Sequence, residues 1–188
     1  GEPNFAWYLA GTTLTNAAQW IQTVTLRWLV YDLTSSGTML GTLSLMRSIA
    51  TVGLATFAGV AIDRLPKRRL LYATSIWLFA ISVGFALVLL GNPPVVWPLF
   101  LFTFLGGIGQ AVSMPLRQTV VFSIVPRPMA PGAVALVQTG WAVMRSLGPA
   151  LGGFLLLWFG PAGNFFVQAG AYALVTLTII KLRLPYES

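Results

Sequence analysis

The sequence predicts an all-α membrane protein of six transmembrane helices with both chain ends on the cytoplasmic side. Three observations predict it. Of the 188 residues 56% are hydrophobic and 8% charged, with a mean hydropathy of +0.80, whereas soluble domains carry about a quarter charged residues. The chain divides into six apolar stretches, each long enough for the ~20 residues that cross a hydrocarbon core of about 30 Å. The bases also fall in alternate connectors. Arg64, Lys67, Arg68, Arg69, Arg127, Lys181 and Arg183 lie on one side, while the connectors 32–37, 91–94 and 159–163 hold no base and one acid, Asp32. Cytoplasmic loops carry the excess of Lys and Arg, which sets the orientation.

The first stretch, 5–31, begins almost at once, without a basic leader or a small-residue cleavage site, and reads as a mature helix. Along it Thr12, Asn16, Gln19, Thr23 and Arg27 recur every three or four residues and so form one polar stripe. Thr34-Ser35-Ser36-Gly37 supplies a turn, and the second stretch, 38–62, carries Ser44, Arg47 and Thr51 on one face. A basic loop leads to the third, 70–90. Gly91-Asn92-Pro93-Pro94 opens the fourth, 95–124, where Gln110, Ser113 and Arg117 again share a face. The segment from Pro126 to Gly132 precedes the fifth, 133–158, with Arg145 near its middle. Gly160-Pro161-Ala162-Gly163 separates it from the sixth, 164–182. No connector is large enough for a soluble domain, so 1–188 reads as a single six-helix bundle.

The net charge of +7 resides in loops and at helix ends, which points to anionic lipid headgroups and away from nucleic acid. The absence of Cys and His removes disulfides, thiolate nucleophiles, imidazole bases and nearly all zinc chemistry. No nucleotide-binding loop is present, and neither a cofactor, a metal nor an enzymatic activity is expected.

The loop Gly59-Val60-Ala61-Ile62-Asp63-Arg64-Leu65-Pro66-Lys67-Arg68-Arg69 packs one acid and four bases between two apolar runs. It resembles the loop between the second and third helices of major facilitator superfamily transporters, which runs Gly, three variable residues, Asp, Arg, a variable residue, Gly and two bases. Pro66 stands at the second Gly. In the fifth stretch, Gly148-Pro149-Ala150-Leu151-Gly152-Gly153 is similar to the core of that superfamily's fifth-helix antiporter motif. Met144 and Ala135 replace two further glycines of the motif, which weakens the inference to antiport. Asn16-Ala17-Ala18-Gln19-Trp20-Ile21-Gln22-Thr23 continuing through Leu29-Val30-Tyr31-Asp32-Leu33-Thr34, and Gly109-Gln110-Ala111 with Met114-Pro115-Leu116-Arg117-Gln118, resemble the export branch that includes enterobactin exporters.

The resemblance implies one bundle of an inverted three-plus-three repeat. It further implies the N-terminal half of a secondary active transporter, a small-molecule exporter of the bacterial cytoplasmic membrane that would work by alternating access against a second six-helix bundle. That bundle belongs to the same parent chain or to another copy. Arg27 and Arg117, at similar depths in the first and fourth stretches, are a weak trace of the repeat. Gly59, Asp63, Arg64, Lys67 and Arg68 would form a cytoplasmic gating loop, and Gly148, Pro149, Gly152 and Gly153 a helix-packing motif.

Because the first and fourth helices line the cavity in the family, Asn16, Gln19, Thr23, Arg27, Arg47, Gln110, Arg117 and Arg145 are the substrate-cavity candidates. Charged groups within a membrane are costly and demand an interior location. No acid lies inside a stretch, and Asp32 alone is placed to reach Arg27 or Arg47. Such a cavity is electropositive and favours an anionic or electron-rich substrate. The same polar groups also fit an alternative role as interhelical glue. A non-transporting scaffold or assembly subunit of a larger membrane complex is the alternative for the whole chain.

Overall fold

The computed structural model describes residues 3–91 and 96–182, and every regular element among them is helical. Asn92, Pro93 and Pro94, together with Arg183 and the terminal acids Glu2 and Glu187, lie outside the described residues. Helix α1 covers Pro3–Thr34, α2 Gly37–Gly53, α3 Ala55–Arg64, α4 Lys67–Gly91, α5 Val96–Ile124 and α6 Ala130–Lys181, with a short 3₁₀ turn at Arg127–Met129.

Two of these helices depart from the sequence reading. The second apolar stretch is broken: α2 and α3 meet at Leu54 with a bend of 41°. Gly53 offers little resistance there, and Thr51 Oγ1 donates back to the carbonyl of Arg47 at 2.9 Å, a pattern that bends helices. The hydrogen bonds nonetheless continue through the bend, from Leu54 N to Ala50 O at 3.2 Å and from Ala58 N to Leu54 O at 2.8 Å.

The 52 residues of α6 would extend about 78 Å if straight. They do not run straight, because Gly160 adopts φ 71° and ψ 177°, a backbone only glycine enters cheaply. Pro161 then starts the second limb, where its missing N–H costs nothing. Residues twelve apart would be separated by about 18 Å in one straight helix. The Asn164 side-chain amide instead lies 3.4 Å from the carbonyl of Gly152, so the limbs 130–159 and 161–181 fold back on each other.

The core sorts into two ends. At one, Ile62, Leu70, Leu71, Ile124, Val125, Ala130, Ile179 and Leu182 gather around Tyr8. At the other, Leu29, Val30, Leu43, Phe85, Leu99, Phe102 and Phe165 converge. Phe85 stacks on Phe102 at 4.7 Å, and Phe165 meets both edge-on at 4.7 and 5.1 Å, which pins α4, α5 and the second limb of α6 together. Among the described residues the chain therefore makes six passes between these ends. The basic connectors share the Tyr8 end.

By length and composition three helices are apolar enough to cross a membrane, or four if the bent pair counts as one. Helix α1 is not among them, because it carries the polar stripe. Apart from the exposed Arg27, the polar side chains of that stripe turn at least partly inward, where neighbouring helices must supply hydrogen-bond partners.

Candidate functional site

Helix α1 is the spine of the site. Its stripe sorts by depth into separate contacts. Thr12 is buried and accepts from Arg117 Nη1 at 3.0 Å. Asn16 is half-buried with its Nδ2 unpartnered. Gln19 Nε2 donates to Gln110 Oε1 on α5. Thr23 Oγ1 accepts from Arg47 Nη1 on α2 at 3.1 Å, and Arg27 is exposed one turn further on.

Thr23, Arg27 and Arg47 meet at a small cleft between α1, α2 and α5, whose polar wall also includes Gln22, Ser44 and Thr103. Its volume of about 30 Å³ holds a water or two, about one per probe-sized 10–15 Å³. Two guanidinium groups face it and no carboxylate does. Asp32 is exposed and makes no ion pair with Arg27 or Arg47 among the described residues, so the proposed outer partner is not in place.

The two other candidate arginines differ sharply in environment. Arg117 is 5% exposed, deep among α1, α5 and the second limb of α6, and its own carbonyl accepts from the Tyr8 hydroxyl. Its Nε has no partner. Arg145 lies on the exposed side of α6, so the interior location its charge demands is not supplied by the described residues. Arg27 and Arg117, aligned in the sequence, thus occupy unlike surroundings, one exposed and one enclosed.

A second polar layer was not anticipated. Gln168 Nε2 donates to Gln22 Oε1 at 2.6 Å, and the Asn164 side-chain amide meets Thr25 Oγ1 at 2.9 Å, all four residues being buried. Tyr172 lies one turn beyond Gln168 with its hydroxyl unpartnered. The signal was available, since Asn164, Gln168 and Tyr172 are spaced by four and share a face of the sixth stretch.

The loop residues also divide. Leu65 is extended (φ −100°, ψ 151°), as the residue before a proline must be, and no residue of this turn has a positive φ. Pro66 can therefore replace glycine there. Asp63 and Arg64 are exposed, and Asp63 has no partner among the described residues. Gly59 is also exposed and Lys67 half-buried. Arg68 is committed within the bundle: Nη1 donates to the carbonyl of Leu182 at 2.9 Å and Nη2 to that of Ile180 at 3.0 Å. Its guanidinium also rests 5.9 Å from the centroid of the Tyr72 ring. A base in the first turn of α4 opposes that helix's dipole, and Arg68 offsets this by capping the carbonyl end of α6.

The fifth-helix motif faces two ways. A Cβ added to Gly148 would stand 2.8 Å from Trp20 Cβ and closer still to the indole, and one on Gly152 would stand 3.1 Å from Val24. These glycines let α6 approach α1. Pro149 is exposed, and a Cβ on Gly153 would meet nothing within 4 Å.

Residues 2–187 match the family model of major facilitator proteins described as transmembrane secretion effectors. The chain is 24% identical over 177 residues to the staphyloferrin A transporter of Staphylococcus aureus (strain NCTC 8325 / PS 47), covering 94% of this chain and 45% of that protein. It is 30% identical over 154 residues to multidrug resistance protein 1 of Bacillus subtilis (strain 168), covering 82% of this chain and 38% of that protein. The chain thus spans less than half the length of either relative.

Proposed function

The chain belongs to the major facilitator family of transmembrane secretion effectors, and from that premise we propose that it acts as the N-terminal half of a secondary active exporter of small molecules. In this reading its six passes are six membrane spans, and the basic end is cytoplasmic. The bundle rocks against a second six-helix bundle around a midplane site.

The observation that carries the proposal is the joining of Thr23, Arg27 and Arg47 at one cleft, whose polar wall also includes Gln22, Ser44 and Thr103. Polar groups with spare hydrogen-bonding capacity, placed on α1, α2 and α5, fit one wall of a solute pathway. The cleft alone is too small for a ligand, so the site needs a facing wall. The two relatives are named for carrying a siderophore and for resistance to drugs. An anionic or electron-rich solute is the class that two uncompensated guanidinium groups favour.

The test is uptake and efflux in vesicles containing the full-length protein, coupled to labelling of single cysteines at Ser36 and Gly163. We expect gradient-dependent movement of an anionic solute and labelling of both positions from outside. Efflux indistinguishable from empty vesicles would overturn the transporter reading in favour of a scaffold. Labelling only from the cytoplasm would invert the orientation.

A further inference from the structure

The cleft between α1, α2 and α5 has a buried floor and an open rim. Gln22, Leu26, Leu43 and Thr103 form the floor, each 4% exposed or less, while Arg27 and Ser44 stand exposed at the rim. Arg47 joins the two levels, half-buried, with Nη1 on Thr23 Oγ1 at 3.1 Å. A space of about 30 Å³ is too small for an organic solute. It is the size of a water or two, or of one monoatomic ion.

Hydrogen bonding chooses between those occupants. Two acceptors of the wall are engaged: Thr23 Oγ1 takes Arg47 Nη1, and Gln22 Oε1 takes Gln168 Nε2 at 2.6 Å. The donors are not. Gln22 is 3% exposed, and its Nε2 has no partner among the described residues. Nor has the Ser44 hydroxyl, which does not turn back on its own helix as those of Thr42 and Thr51 do. Arg47 keeps the rest of its N–H fork. Thr103 spends its proton on the carbonyl of Leu99 at 2.8 Å and leaves an oxygen to accept. Water donates as often as it accepts, so a wall in which free donors predominate satisfies it poorly. An anion only accepts.

Charge points the same way. The ionisable groups that act on Arg47 are Tyr172 and Arg27, a neutral phenol and a second cation. Asp32 and Asp63, the acids among the described residues, are both exposed, and neither belongs to the cleft wall. Leu26 and Leu43 lower the local dielectric, which strengthens the attraction of the guanidinium for a counter-ion relative to an aqueous surface.

We propose that the cleft is a resident site for one small monovalent anion of the halide class, held by Arg47, Gln22 and Ser44 as the counter-charge that no carboxylate of the wall supplies. The ion is distinct from any cargo. The inference shares its residues with the exporter reading but needs only this bundle.

The experiment uses the purified full-length protein in detergent at fixed ionic strength. Sodium gluconate is replaced stepwise by sodium bromide or sodium acetate, and thermal unfolding is read. Bromide should raise the melting temperature by about 5–10 °C once it stands about a hundredfold above its dissociation constant, and the larger acetate should not. Ser44→Ala, at the exposed rim, should weaken bromide affinity about two- to tenfold. Arg47→Gln should abolish the response while melting near the wild-type temperature in gluconate. Thr42→Val, on the far side of α2 and already satisfied on the carbonyl of Thr38, should leave the response intact. Should Arg47→Gln fail to accumulate, the titrations of the wild type and Ser44→Ala still decide the matter. Equal melting in bromide and gluconate would overturn the proposal, the cleft then holding water. A bromide response untouched by either cleft variant would overturn it too, because the ion would bind elsewhere. Stabilisation by acetate and not by bromide would make the cleft a socket for the acid end of a solute and sink the halide assignment. A cleft-dependent halide response without efflux removes the exporter reading alone, whereas efflux without that response removes this site alone.

Discussion

Replacing Gly148 with alanine tests the contact on which the placement of α6 depends. The new Cβ would lie 2.8 Å from Trp20 Cβ and closer to the indole ring, against an ordinary carbon contact of about 3.5–4.0 Å. Restoring that contact requires α6 and α1 to separate by about 1 Å, because the obstacle is a bulky ring held near its backbone. Overpacking of this kind costs about 1–3 kcal/mol. Gly152→Ala meets Val24 at 3.1 Å and should cost less, under about 1 kcal/mol. Gly153→Ala meets nothing within 4 Å, and it should be neutral or gain up to about 1 kcal/mol from helix propensity. The assay is thermal unfolding of the purified full-length protein in detergent, for which about 2–4 °C per kcal/mol is expected in a domain of this size. Trp20→Ala removes the indole atoms that crowd the new Cβ most closely and should relieve Gly148→Ala in part, giving a coupling of about 1 kcal/mol or more in a double-mutant cycle. Equal melting temperatures for the alanine variants at 148 and 153, or strict additivity with Trp20→Ala, would refute the packing argument.

Asp63→Asn should shift stability by no more than about 0.5 kcal/mol, since the exposed carboxylate has no partner among the described residues, yet slow transport. Unchanged transport at normal yield would remove its gating role. Arg68→Met should deprive the carbonyls of Ile180 and Leu182 of their donor, at about 0.5–1.5 kcal/mol because both lie where water can reach, and speed hydrogen exchange in the last turn of α6. Unaltered exchange there would mean that the cap is dispensable. Arg47→Gln keeps a donor near Thr23 but removes the charge, so affinity for an anionic solute should fall about tenfold with melting temperature nearly unchanged. A loss of stability at wild-type affinity would make Arg47 a packing residue.

The helices were largely legible in the sequence because apolar run length and turn residues write them directly. Polar periodicity also announced that α1 has a face that avoids lipid. What it did not announce was which neighbour each residue meets. Gln19 and Gln110 were both singled out, but their mutual bond depends on the rotation of α5 against α1, a tertiary outcome. Gln22 lies off the chosen stripe and pairs with Gln168 across the bundle, so α1 has two polar faces where spacing suggested one. Arg68 looked like any other loop base until the end of α6 was placed beside it. The break at Leu54 was equally hidden, since Gly53 and Thr51 inside an apolar run read as tolerated residues and neither by itself obliges a bend.

The arginines show why burial has to be read differently in such a bundle. In a soluble domain, exposure of a charge is satisfied by water and asks for nothing more. Here the bundle's outer surface is covered with leucine, phenylalanine and tryptophan, so the surrounding medium is apolar and an exposed charge is more demanding than an enclosed one. Arg117 is enclosed and has Thr12 as an acceptor, while Arg47 has Thr23. Arg145 has no hydrogen-bond or ion-pair partner among the described residues. The same reasoning assigns the bases at the Tyr8 end to the aqueous boundary, where Arg64, Arg69, Arg127 and Lys181 stand exposed and anionic headgroups lie within reach. Depth, rather than fractional exposure, therefore separates the bases that anchor the bundle from Arg145, whose charge the described residues leave uncompensated.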